Sequence, residues 1–99
     1  MKLLMVTAFL AVQALAPHSY VPPGGYLKDQ RTATKVAEAI LSSVYGEKNI
    51  RRQLPLRTQL RGGVWIVSGK PLPARMKGGV AEIHLSKRTG EVLHLTHGL

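Results

Sequence analysis

Two adjacent glycines, Gly62-Gly63, constrain the fold of this chain more than any other feature of its sequence. They separate two segments of alternating character, LRTQLR at 56–61 and VWIVSG at 64–69. A two-residue Gly-Gly loop is typical of a tight β-hairpin, because glycine adopts the positive φ angles that such turns require. The loop predicts that Leu60 pairs with Trp65, which gathers apolar side chains on one face and polar ones on the other.

A second hairpin is predicted between residues 79 and 97, where apolar residues again alternate with polar ones. We expect a three-residue loop over residues 88–90, with Gly90 in a left-handed conformation. This loop predicts three cross-strand pairs: Leu85 with Leu93, Ile83 with Leu95, and His84 with His94.

A helix is predicted over residues 29–45, before the two hairpins. Its apolar residues recur at helical spacing: Ala33, Val36, Ala37, Ile40, Leu41 and Val44. Asp29 is the expected N-cap, and Gly46 suits the left-handed position after the last turn. One helix with one apolar face and four antiparallel strands predict an α+β fold, in which the helix packs on a curved four-stranded sheet.

The N-terminus resembles a targeting segment. Residues 1–16 (MKLLMVTAFLAVQALA) combine one lysine with a mostly apolar run that is shorter than a membrane span, which is typical of a cleavable signal peptide. We therefore expect export to the periplasm or beyond, without a stable membrane anchor; an N-terminal core helix and a short uncleaved anchor are the alternatives. Cleavage is expected after Ala16 or Ala14. Residues 17–28 then form an extended Pro/Gly arm, and residues 29–99 form the domain.

Charge indicates the kind of partner. The chain of 99 residues has 14 Lys and Arg against 5 Asp and Glu, a formal net charge of +9. Such an excess of positive charge favours an acidic protein, a nucleic acid or an anionic envelope polymer as the partner. It is also typical of a small protein that its charge keeps soluble. The absence of cysteine excludes disulfides and Cys-based zinc sites.

The candidate partner-binding residues are mainly cations that lie close together in the sequence. They are Arg51, Arg52, Arg57, Arg61, Arg75 and Lys77, with Trp65, His84 and His94 as neighbours. Arginine and tryptophan dominate binding hot spots, and a basic surface accelerates association with an acidic partner. The alternatives are that these charges are merely solvated and that Trp65 is a core residue.

An enzyme is the weaker interpretation. Glu82 and His84 lie two residues apart on one strand face, and His94 is their expected neighbour, so an acid/base pair or a metal site is conceivable there. A solvated strand face explains the same pattern. The sequence offers no Ser or Cys nucleophile and no phosphate-binding loop. We therefore expect no catalysis, no metal and no cofactor.

Several segments, in order, resemble the NTF2-fold immunity protein family of bacterial polymorphic toxin systems. They cover nearly all of the chain after the targeting segment: Tyr20-Val21-Pro22 with Gly24-Gly25, TATKVAEAILSSVYGEKNI at 32–50, GVWIVSG at 63–69, GGVAEI at 78–83, Lys87-Arg88-Thr89-Gly90, and Thr96-His97-Gly98. The chain departs from that pattern in having fewer acidic residues.

The resemblance implies a small cystatin-like or NTF2-like fold and a non-catalytic function. It implies that the protein binds and neutralises a cognate toxin, and with a signal peptide that toxin would act in the cell envelope. The basic balance predicts an acidic binding surface on the toxin. A basic periplasmic inhibitor of a secreted peptidase or hydrolase is the alternative, because the hairpin turn at 87–90 resembles small propeptide-type inhibitory domains. Nucleic-acid binding ranks below both, because export opposes it and few aromatic residues are present for base stacking.

Overall fold

A computed structural model describes residues 19–71 and 79–98. The predicted signal peptide, Arg75 and Lys77 therefore lie outside the described residues. The elements in chain order are α1 (Gln30–Tyr45), α2 (Glu47–Arg51), β1 (Arg57–Arg61), β2 (Val64–Ser68), β3 (Ala81–Ser86) and β4 (Val92–His97). Within this part of the chain, no helix is long and apolar enough to cross a membrane.

Helix α1 begins and ends where the sequence predicts. The Asp29 carboxylate accepts a hydrogen bond of 2.8 Å from the Thr32 amide, which is an N-cap, and this bond holds the pKa of Asp29 below its ordinary value. At the other end, Gly46 has a φ of 94° and its amide donates to the Ser42 carbonyl. The buried stripe of α1 ends at Leu41, because Val44 is 52% exposed instead of lying in the core.

The four strands form one antiparallel sheet in the order β1-β2-β3-β4. The predicted first register is confirmed, with Leu60 opposite Trp65. In the second hairpin two predicted pairs are confirmed, Ile83 with Leu95 and His84 with His94.

The predicted pair of Leu85 with Leu93 is wrong, because the register shifts by one residue between His84 and Leu85. Leu85 lies opposite Val92, so β4 carries an extra residue that bulges out of the ladder. Leu93 is consequently 50% exposed and does not reach the core.

The core lies between α1 and one face of the sheet, which we call the inner face. Its buried members come from the arm, both helices and the two central strands, β2 and β3: Leu27, Ala33, Ala37, Leu41, Ile50, Trp65, Val67, Ala81, Ile83 and Leu85. The Nε1 atom of Trp65 donates a buried hydrogen bond of 2.7 Å to the Leu27 carbonyl. Helix α1 also binds the edge strand β1, since Gln30 Nε2 donates to the Thr58 carbonyl at 2.8 Å.

The Pro/Gly arm is fixed by its backbone. The Gly25 amide donates to the Pro22 carbonyl, which closes the predicted turn, and the Tyr26 and Leu27 amides donate to carbonyls of the β3–β4 turn. Gly25 has a φ of 83°, and a Cβ atom there would lie 2.8 Å from the Arg88 Cα atom. The arm therefore docks on that turn only because glycine occupies this position.

Candidate functional site

The outer face of the sheet, which points away from α1, holds the main candidate site. Side chains of β1, β2 and β3 alternate between the two faces, so each strand contributes every second residue to it. They line a depression of about 370 Å³ formed by Arg57, Gln59, Arg61, Ile66, Ser68, Glu82 and His84. Arg57, Arg61 and His84, which the sequence predicts as site residues, are thus brought together.

Two arginines form the positive side of this depression. Arg57 and Arg61 both lie on β1 and are exposed, and Gln59 stands between them on the same face. Four residues along a strand separate their Cα atoms by about 13 Å, so the two long side chains flank one common space. Among residues 19–71 and 79–98, neither guanidinium makes an ion pair or a side-chain hydrogen bond. Both are therefore available to an external anion.

A carboxylate and two histidines form the opposite side. The Oε2 atom of Glu82 lies 2.8 Å from Nε2 of His84, and both side chains are partly buried. The ring of His94, on β4, lies beside that of His84 with centroids 4.7 Å apart. This arrangement fixes the orientation of the His84 ring and joins His94 to the predicted site.

Arg51 and Arg52 do not join this surface. They lie at the end of α2, which packs on the inner side of the sheet through the buried Ile50. Arg51 pairs with Glu47 at 2.7 Å. Proximity in sequence is misleading here, because α2 packs against the core through Ile50, whereas Arg57 and Arg61 of the edge strand β1 line the depression on the outer face.

Trp65 is a core residue and not a surface anchor. Its side chain is 6% exposed, and its only polar atom is bound to the Leu27 carbonyl. The prediction that Trp65 contacts a partner directly is therefore corrected: a protein partner that lies on the surface does not reach this ring. Arg75 and Lys77 lie outside the described residues.

Sequence reasoning missed three lining residues of the depression: Gln59, Ile66 and Ser68. The signal for them was present, since the register places Gln59 opposite Ile66 and Arg57 opposite Ser68. Ile66 gives the depression an apolar floor at its centre. In the described part of the chain, no group of three His, Asp or Glu residues is arranged to hold a metal ion.

Comparison with known proteins identifies a family. The family model of the NTF2 fold immunity proteins matches residues 32–98, from the first turn of α1 to the end of β4. No curated protein and no solved structure matches the chain significantly. The match covers more than half of the 99 residues and agrees with the helix packed on a four-stranded antiparallel sheet. This chain belongs to the NTF2-fold immunity protein family.

Proposed function

We propose that this chain is an exported immunity protein that binds a toxin acting in the cell envelope and neutralises it by occlusion, without chemistry of its own. The observation that carries the proposal is the family match over residues 32–98, because an immunity protein implies a cognate toxin. The targeting pattern of residues 1–16 supports the envelope as the place of action.

The outer face is the proposed binding surface. Arg57 and Arg61 are exposed and have no ion-pair partner among the described residues, and the formal net charge of the chain is +9. Exposed charges at an interface mainly raise the association rate with a partner of opposite sign. We therefore expect the toxin to present an acidic surface to β1.

Neutralisation is the decisive experiment. The genes encoded next to this protein are each expressed with an export signal, and for any that arrests growth, growth is measured with and without the immunity protein. We expect rescue of growth and a one-to-one complex of the purified proteins. Absence of both would refute the function.

Location is tested with a variant that lacks residues 2–16. We expect this variant to bind the purified toxin but to give no protection against an exported toxin. Protection by this variant would contradict action in the envelope.

A matched pair of double variants tests the surface. Arg57→Gln with Arg61→Gln removes two charges from the outer face, and we expect association with the toxin to slow by about 10-fold. Arg51→Gln with Arg52→Gln removes the same charge from α2, and we expect less than about a two-fold change. Equal effects of the two variants would assign the binding to net charge and not to this face.

A further inference from the structure

The outer face is dipolar and not uniformly basic. Arg57 lies opposite Ser68, and Ser68 lies opposite Glu82, so an arginine and a carboxylate stand in one row across three strands. Both side chains line the same depression of about 370 Å³. Two strand spacings separate the backbones of β1 and β3, which is about 10 Å. A partner that crosses this face meets positive charge first and negative charge second.

The negative side is open to a ligand. One oxygen of the Glu82 carboxylate, Oε2, is bound to His84, while Oε1 has no hydrogen-bond partner among the described residues. The Glu82 side chain is 38% exposed. Because His84 fixes the carboxylate in place, Oε1 can accept a hydrogen bond from outside with little further loss of side-chain freedom.

We propose that the depression binds a charge pair of the toxin: an acidic side chain between Arg57 and Arg61, and a Lys or Arg side chain about 10 Å away against Glu82. This inference rests on the proposed function and specifies the chemistry of its partner. The apolar floor at Ile66 suits the methylene groups of such side chains.

The same dipole disfavours nucleic acids and other polyanions. A phosphate chain carries negative charge at regular short intervals, so a polyanion that follows the row from Arg57 places a phosphate against Glu82. Like charges that face each other across an interface weaken binding and reject wrong partners. Glu82 therefore gives this basic protein a means of selecting a protein partner.

The test uses nuclear magnetic resonance titrations of the full-length protein with three probes. Two proline-rich octapeptides differ at one position: one has Glu followed three residues later by Lys, and the other has Gln in place of that Lys. In a polyproline II helix these two positions lie on the same face about 9 Å apart. The third probe is a single-stranded DNA dodecamer. We expect the Glu/Lys peptide to bind at least about five-fold more tightly than the Glu/Gln peptide and to shift resonances of Gln59, Ile66 and His84.

Three variants make the test specific. Arg57→Gln with Arg61→Gln should weaken the Glu/Lys peptide at least about 10-fold, whereas Arg51→Gln with Arg52→Gln should change it by less than about two-fold. Glu82→Gln should remove the preference for the Glu/Lys peptide and strengthen binding of the DNA.

Equal affinity of the two peptides, shifts confined to other surfaces, or tighter binding of the DNA to the unaltered face would each overturn the inference. The titrations need no toxin, so their result is independent of the proposed function. If the protein neutralises its toxin but the two peptides bind with equal affinity, the proposed function stands and the proposed charge pair is refuted. If the Glu/Lys peptide binds selectively but no toxin is neutralised, the proposed function is refuted and binding of a charge pair in the depression stands.

Discussion

Replacing Gln53 by leucine should destabilise the protein although leucine has a similar size. Gln53 is fully buried, and its Oε1 atom accepts a hydrogen bond of 2.8 Å from the Ala81 amide, where the β2–β3 ladder ends. Its Nε2 atom lies 3.3 Å from Nε2 of His97 and 3.4 Å from Oδ1 of Asn49. The side chain thus accepts a hydrogen bond from the backbone amide of a fully buried residue.

The magnitude follows from these contacts. A buried amide that loses its acceptor costs about 1–3 kcal/mol, and the two longer contacts of Nε2 add less. Burial of the additional apolar surface of leucine stabilises the fold by about 1 kcal/mol, which offsets part of this loss. We expect the free energy of unfolding to fall by about 2 kcal/mol, which shifts the urea midpoint by about 2 M at a slope typical of small domains.

The assay is urea unfolding followed by the fluorescence of Trp65, the single tryptophan, which unfolding transfers from the core to water. Gln59→Leu is the matched control, since it makes the same change at an exposed position, and we expect it to stay within about 0.5 kcal/mol of the parent. The reasoning is refuted if the midpoint of Gln53→Leu equals that of the parent, or if the control shifts by as much.

Three further predictions concern the arm and the helix cap. Trp65→Phe leaves the buried Leu27 carbonyl without its donor, and we expect a loss of about 1–3 kcal/mol in circular-dichroism melts; an unchanged melt would contradict the role of that bond. Gly62→Ala meets no neighbouring atom, and we expect its positive φ to lower the free energy of unfolding by about 1 kcal/mol. Gly25→Ala also collides with the β3–β4 turn, so we expect a loss at least about twice as large in urea unfolding. Equal losses for the two variants would argue against a docked arm. The lowered pKa of Asp29 means that its charged form stabilises the fold above the ordinary value of 3.8 and that this stability is lost as the pH falls through the lower folded value. Asp29→Asn keeps a capping oxygen, so its melting temperature relative to the parent should rise as the pH falls below 3.8, and a constant difference would exclude this linkage.

The sequence predicted those parts of the fold whose signals are local. Helical spacing with a capping Asp29 and a terminal Gly46 defined α1 at both ends. The Gly62-Gly63 turn defined the first register, because the two strands are joined by a loop whose geometry admits few alternatives. Both inferences depend on residues that are close together in the chain.

The remainder depends on contacts between distant residues. The bulge near Leu93 has no local signature, so the second register was predicted only in part. No local pattern marks Gln53 as a core residue. Its side chain fills the space that Gly69 leaves, since a Cβ atom on Gly69 would lie 2.8 Å from the Cβ of Gln53. The candidate site was predicted in part for the same reason. The alternation of side chains along β1 puts Arg57 and Arg61 on one face of the sheet, whereas only the packing of α2 shows that Arg51 lies elsewhere.

The docked arm also determines where the chain can be shortened. The family match begins at residue 32, but the core reaches back to Leu27, the helix cap to Asp29, and the turn that orients them to Pro22. A fragment trimmed to the family boundary would expose the indole of Trp65 and leave its N–H without the carbonyl that it binds. The smallest autonomous folding unit is therefore longer than the region by which the family is recognised, and a tag or fusion partner belongs upstream of the Pro/Gly turn.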